Sequence, residues 1–113
     1  MTKPKGKINV DITTKALKNT DTDGTSKNVS NLVRYGNADS FKLLCKASSE
    51  EEGWMKSTKV LAIPGVGCIV QVTTQQRNPD GSYVVAEALT FVPGVKVISH
   101  AQNDDDIHIL VKE

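Results

Sequence analysis

The amino-acid sequence predicts an all-β fold of five or more short strands, arranged as a small barrel or sandwich. Three observations carry that expectation. Residues 54–92 read as a strand, the tight turn Pro64-Gly65-Val66-Gly67, and a long hairpin closed over Asn78-Pro79-Asp80-Gly81. The runs flanking those turns are rich in Val, Thr, Ile and Tyr, which suit a pleated half-buried surface, and the turn residues preset φ or tolerate φ > 0. Nowhere does an apolar period of 3.6 residues run for three turns, so little or no helix is expected.

The elements follow in order. Lys7–Thr14 alternates, with Ile8, Val10 and Ile12 on one face, and reads as a first strand. The stretch Asp11–Asn19 could instead start a short helix. Lys18–Ser30 is a polar loop expected to move. Val29–Tyr35 has strand character and ends at Gly36-Asn37. Ser40–Ala47 sets Phe41, Leu43 and Cys45 on one face and Lys42 and Lys46 on the other, with Leu44 interrupting the polar side. Ser48–Gly53 is an acidic turn before the strand Trp54–Ile63. The hairpin follows, then Pro93-Gly94 and a last strand, Val95–Ser99. At the end, Ile107, Ile109 and Val111 could form one face of a further strand, or residues 101–113 could be an acidic tail.

Length and composition suit a single small domain: 113 residues, 38% apolar but only 4% aromatic, so the core is modest. The basic N-terminus lacks the apolar stretch of a secretory signal. No apolar run approaches the roughly 20 residues that span a bilayer. A cytoplasmic protein with no membrane partner is expected. Cys45 and Cys68 each sit in an apolar strand-like run and are expected as buried thiols, with a disulfide as the alternative. No Cys or His spacing suggests a metal, and none is expected. Residues 1–100 hold 13 Lys and Arg against 9 Asp and Glu, whereas residues 101–113 hold one Lys against four acidic residues. A mildly basic body with an acidic end suits a phosphate-binding surface plus a segment with another use.

Catalysis has little support. His100 and His108 lie near the acidic end, away from any nucleophile-like turn, and no phosphate-binding Gly-Lys-Ser/Thr loop occurs. Neither an enzyme activity nor a cofactor is expected. Binding has more. Strand alternation sets Lys42 and Lys46, then Trp54, Lys56 and Thr58, then Gln71, Thr73 and Gln75 opposite the apolar sets, with Arg77 at the hairpin tip. Together they could line one surface of ammonium groups, amides and an indole. Lys and Arg neutralise phosphates, and an aromatic ring stacks on an unpaired base. Arg34 and Tyr35, and Tyr83 at the start of the return strand, join the candidates. Each has a plainer reading: Trp54 capping the core, the lysines solvated, Tyr35 packed under the polar loop. Phe41 and Phe91 are expected in the core.

From Ser40 onward the order of features resembles single-stranded DNA-binding proteins with an oligonucleotide/oligosaccharide-binding (OB) barrel. The stretches that carry it read FKLLCKASSEEE, GWMKSTKVLAI, GCIVQVTTQQ and NPDGSYVVAEALTFV. The texture is closest to the short versions encoded by bacteriophages of Gram-positive hosts. The resemblance implies a five-stranded OB-type barrel over residues 1–100, with residues 101–113 as an acidic C-terminal segment. It also implies coating of single-stranded DNA with little sequence preference during replication or recombination. A homo-oligomer, dimer or tetramer, is implied too, with replication or recombination proteins recruited through the acidic end. Two features depart from the family: its helix between the third and fourth strands is replaced by Pro64-Gly65-Val66, and its Asp-Asp-Asp-Ile-Pro-Phe tip reads Asp104-Asp105-Asp106-Ile107-His108-Ile109. The alternative functions are a small β-rich phage structural or assembly protein, and an adaptor or inhibitor that binds a host protein through the acidic end.

Overall fold

The computed structural model of the chain describes residues 15, 17–102 and 105–113. Among the described residues six strands form two antiparallel sheets. Strands β1 (Lys42–Ser49), β2 (Trp54–Ile63), β3 (Gly67–Arg77) and β4 (Tyr83–Pro93) pair in chain order as a four-stranded meander. Strands β5 (Val95–Gln102) and β6 (Asp105–Lys112) pair as a separate ribbon. The described residues are all-β with almost no helix.

Two turns set the registers of the large sheet. In the first, Val66 N–H donates to Ile63 O at 3.0 Å, with Pro64 next and Gly65 at φ +77°. That is the type II pattern, with Pro at the second position and a positive-φ Gly at the third. It pairs Ile63 with Gly67 and Trp54 with Gln76. In the second, Gly81 N–H donates to Asn78 O at 2.9 Å and Asn78 N–H to Ser82 O at 2.7 Å, with Gly81 at φ +90°. A three-residue loop closed by a left-handed Gly is a favoured hairpin connection. It pairs Arg77 with Tyr83 and Gly67 with Pro93. The Asp80 carboxylate accepts from the Ser82 hydroxyl at 2.6 Å and amide at 2.9 Å, which holds its carboxyl below the usual range.

Among the described residues the sheet is open, where a closed five-stranded barrel was expected. After Pro93 the chain turns at Gly94 (φ +72°), and β5 pairs with β6 and not with β1. The ribbon lies across one face of the sheet, with β5 against β2 and β3 and β6 beside β1. Val60 and Cys68 are wholly buried on that face, and the Cys68 thiol lies 3.5 Å from Val95 O. Glu113 ties the far end, its N–H donating to Gly94 O at 2.8 Å and its carboxylate accepting from Gly65 N–H at 3.0 Å. Residues 105–112 are therefore a strand, the alternative to an acidic tail for the C-terminal segment.

Other expectations are corrected. Residues 29–35 are not a strand: Asn31 (φ +60°) and Gly36 (φ +61°) take left-handed conformations that interrupt extension. The expected polar loop contains helical turns, at Lys18 and at Thr22–Thr25, the latter capped by Asp21, whose carboxylate accepts from Gly24 N–H at 2.7 Å. The expected strand at 7–14 lies outside the described residues. Lys15, Leu17 and Lys18 are helical, and Leu17 is fully buried. Cys45 is exposed and both thiols are free. The cause is a bulge at Leu44: Leu43 faces Lys59 but Cys45 faces Thr58, so one extra residue on β1 reverses the phase of everything after it. Phe91 is exposed as well, on β4 at the edge of the described sheet.

Gly67 is the backbone position on which the two hairpins meet. A Cβ there would stand 2.3 Å from Val92 O and 2.8 Å from Pro93 Cα. Both are main-chain atoms that cannot yield without moving β4. Gly67→Ala is expected to lower stability by at least about 2 kcal/mol. Gly65→Ala, whose Cβ would meet nothing within 4 Å, is expected to cost only about 1 kcal/mol through its positive φ. Urea-unfolding midpoints of the two variants measure the difference.

Candidate nucleic-acid interface

Side chains of directly paired residues lie on the same face of a sheet, so the registers assign every candidate to one of two faces. The face crossed by the ribbon carries Ser49, Trp54, Gln76 and Val84 in one row. Ala47, Lys56, Thr74 and Ala86 form the next, then Cys45, Thr58, Val72 and Ala88, with Lys42 beyond. The opposite face carries Lys46, Met55, Ser57, Lys59, Gln71, Thr73, Gln75, Arg77, Tyr83 and Glu87. The eleven sequence-nominated residues are thus divided. Trp54, Lys56 and Lys42 share the ribbon face. Lys46, Gln71, Thr73, Gln75, Arg77 and Tyr83 share the other, and Arg34 and Tyr35 lie on a loop outside the sheet.

On the opposite face the candidates are engaged within the protein. Glu87 accepts from Gln71 Nε2 at 3.3 Å and from Thr73 Oγ1 at 3.1 Å, which plants a carboxylate among the amides. Arg77 Nη2 donates to Glu51 O at 2.9 Å, fastening the β1–β2 turn. Lys46 is half-buried and its ammonium donates to Asn19 O. Burial, and then the nearby charge of Lys59, push its pKa down. Met55 and Ser57 are buried on this side. This face supports structure more than it offers charge to a ligand.

The ribbon face differs. Its rows on β1–β4 hold Lys42 and Lys56 and no Asp or Glu. A shallow depression lined by Cys45, Ala47, Lys56, Thr58, Val72 and Thr74 lies between the Trp54 row and the ribbon. The floor is shallow because its residues are small. Trp54, half-buried, belongs to the row next to the Lys56 row that lines the depression.

Arg34 and Tyr35 sit on a segment closed by Asp39. That carboxylate accepts from Thr22 N–H at 2.7 Å, Thr22 Oγ1 at 2.8 Å and Asp23 N–H at 3.2 Å, satisfying first-turn donors of the short helix. Burial pushes the Asp39 carboxyl up, but the bonds from Thr22 and Asp23 and the charge of Lys42 outweigh it and hold it below the usual range. Arg34 lies 3.7 Å from the Asp23 carboxylate, and Tyr35 is 86% exposed. It does not pack under the loop.

Sequence reasoning missed Thr74 and Gln76 on the ribbon face, Glu87 among the amides, and Asp39 as the loop's clasp. The first three were recoverable: the two turns imply the pairings Trp54–Gln76 and Thr73–Glu87 by counting outward from each loop. Asp39 had no such signal, because it acts across 17 residues of irregular chain.

Among the described residues no cluster of three or more His, Cys, Asp or Glu could hold a metal ion, and no helix is long and apolar enough to cross a membrane. Fold and surface together define a small antiparallel β protein with one acid-free sheet face edged by Trp and Lys. The chain belongs to the Lockin family, whose model matches residues 12–109. No curated protein and no solved structure matches it.

Because the Asp39 carboxyl is held below its unfolded value, its contribution is complete above the ordinary carboxylate range, about pH 4. It is lost as pH falls through the lowered folded value. Asp39→Asn is expected to cost about 1 kcal/mol at neutral pH and to remove this acid dependence. Amide chemical shifts of Thr22 and Asp23 across a pH titration report both effects.

Proposed function

We propose that this protein binds single-stranded DNA along the ribbon face, as a trimmed, open relative of the OB-type barrel. The observation that carries the reading is the acid-free face holding Trp54 and Lys56 beside a floor of small side chains. Bases unstacked from a single strand are flat and need an open, shallow surface and an aromatic partner. Duplex DNA offers no free base faces there. Lys56 and Lys42 would neutralise phosphates, and the amide of Gln76 and hydroxyls of Thr58 and Thr74 tolerate any base. Tyr35, exposed on the loop next to Arg34, would offer a further ring and charge to a bound strand. The role is coating of exposed single strands.

A second reading, assembly through protein–protein contacts, is favoured by the exposed apolar side chains of β4.

Titration of Trp54 fluorescence with oligo-dT at low salt tests the first. Quenching is expected, with affinity falling steeply as salt rises. Trp54→Ala is expected to weaken binding by about 5- to 150-fold, the equivalent of one stacked base at 1–3 kcal/mol, with binding read by mobility shift. Lys56→Glu is expected to weaken binding and flatten the salt slope. Gln71→Ala should leave affinity within about twofold. An unchanged emission and mobility at low salt, or equal sensitivity to Gln71→Ala, would exclude this surface.

A further inference from the structure

Among the described strands β4 ends the sheet, and half of its backbone groups are used in pairing with β3. Asn78 N–H bonds Ser82 O, and antiparallel bonding alternates, so Val84, Ala86, Ala88, Thr90 and Val92 bond β3. The bond of Arg77 N–H toward Gly53 on β2 agrees with that phase. Tyr83, Val85, Glu87, Leu89 and Phe91 therefore turn their backbone groups toward the open edge, where no described strand pairs with them. Side chains on both faces of the strand are exposed: Val84 by 54%, Val85 by 56%, Leu89 by 63% and Phe91 by 47%. A long apolar edge of this kind is a template for another strand, and its only charge is Glu87.

We propose that β4 pairs antiparallel with β4 of a second copy of this chain, about a two-fold axis at Ala88. The strand is self-complementary about that residue. Tyr83 then faces Pro93 of the second copy, Val84 faces Val92, Val85 faces Phe91, Ala86 faces Thr90, and Glu87 faces Leu89. Large residues meet large and small meet small, and the bulky Val–Phe pairs are of a kind that stabilises sheets. All eleven residues of β4 take part. The register keeps the two Glu87 side chains from standing directly opposite, and each is already drawn back toward β3 by Gln71 and Thr73. Pro93, which has no N–H to give, falls at the end of the seam. The product is one continuous eight-stranded sheet. Its two-fold axis runs perpendicular to the sheet, so the Trp54 and Lys56 surfaces of both copies share one side. The seam itself does not depend on the DNA reading.

Sedimentation of the full chain tests it. The wild type is expected to sediment as a dimer, or as a larger assembly built from such pairs. Phe91→Lys, at a side chain already exposed in the single chain, is expected to weaken association at least about tenfold, with an unchanged β-sheet circular dichroism spectrum. A second variant reads the register. At the axis Ala88 meets its own copy in a non-hydrogen-bonded pair, with Cα atoms about 4.5 Å apart, within the span of a disulfide. In a Cys45→Ser background, Ala88→Cys is expected to oxidise to a covalent dimer and Ala86→Cys to remain single. A wild-type chain that is monomeric at every concentration overturns the proposal, as does an assembly indifferent to Phe91→Lys or a failure of Ala88→Cys to crosslink. Loss of DNA binding with the crosslink intact would leave the seam standing.

Discussion

The two tight turns at Pro64–Val66 and Pro79–Gly81 fix how β2, β3 and β4 slide against one another, and that register decides everything on the sheet's surfaces. Strand side chains alternate with a period of two, so a slip by one residue would exchange the faces entirely. The prolines preset φ and the glycines accept positive φ at low cost, which leaves each loop one geometry. From that come the acid-free face with Trp54 and Lys56 and the opposite face on which Glu87 binds the amides. The bulge at Leu44 plays the same part for β1, where one extra residue sends Lys42 and Lys46 to different sides.

The open sheet follows from a second constraint, at the Gly67–Pro93 end. There the backbone of Gly67 packs against Val92 and Pro93 with no space for a side chain. Gly94 then lifts β5 off the sheet plane, and β5 covers Val60 and Cys68 from above. Burying a side chain such as Val60 completely stabilises the fold by about 2 kcal/mol, and burial raises the pKa of the Cys68 thiol, with the nearby charge of Glu113 adding to it. The cost of this arrangement is an uncovered β4. A strand that closed the sheet would have hidden Leu89 and Phe91. The ribbon instead spends its pairing on itself.

Much of the local structure was legible. The strand Trp54–Ile63, both turns, the hairpin and the start of β5 at Val95 fall where their residue types placed them. The C-terminal IHILV run, which the sequence left open between a strand and an acidic tail, is a strand. The region from Val29 to Tyr35 was not legible, since β-branched residues and Tyr suit a strand only where a neighbouring strand exists to receive their bonds. The site was legible as a set of residue types and not as a surface. Each strand was phased against its own apolar residues, but Val70 and Val72 share a face with Thr74 and Trp54, so an apolar set does not mark the covered side when only part of that face is covered.

The sequence by itself determined the β class, the turn positions and the pairing of neighbouring strands, because these depend on φ preferences and side-chain period within a few residues. Tertiary structure decided three further things: which face the ribbon covers, that the sheet of described strands stays open, and that Asp39 ties the end of its loop to Thr22 and Asp23. Those depend on contacts between residues far apart in the chain, such as Cys68 with Val95 and Thr22 with Asp39. No local propensity encodes such contacts, since their free energy appears only when separate elements have already formed and met.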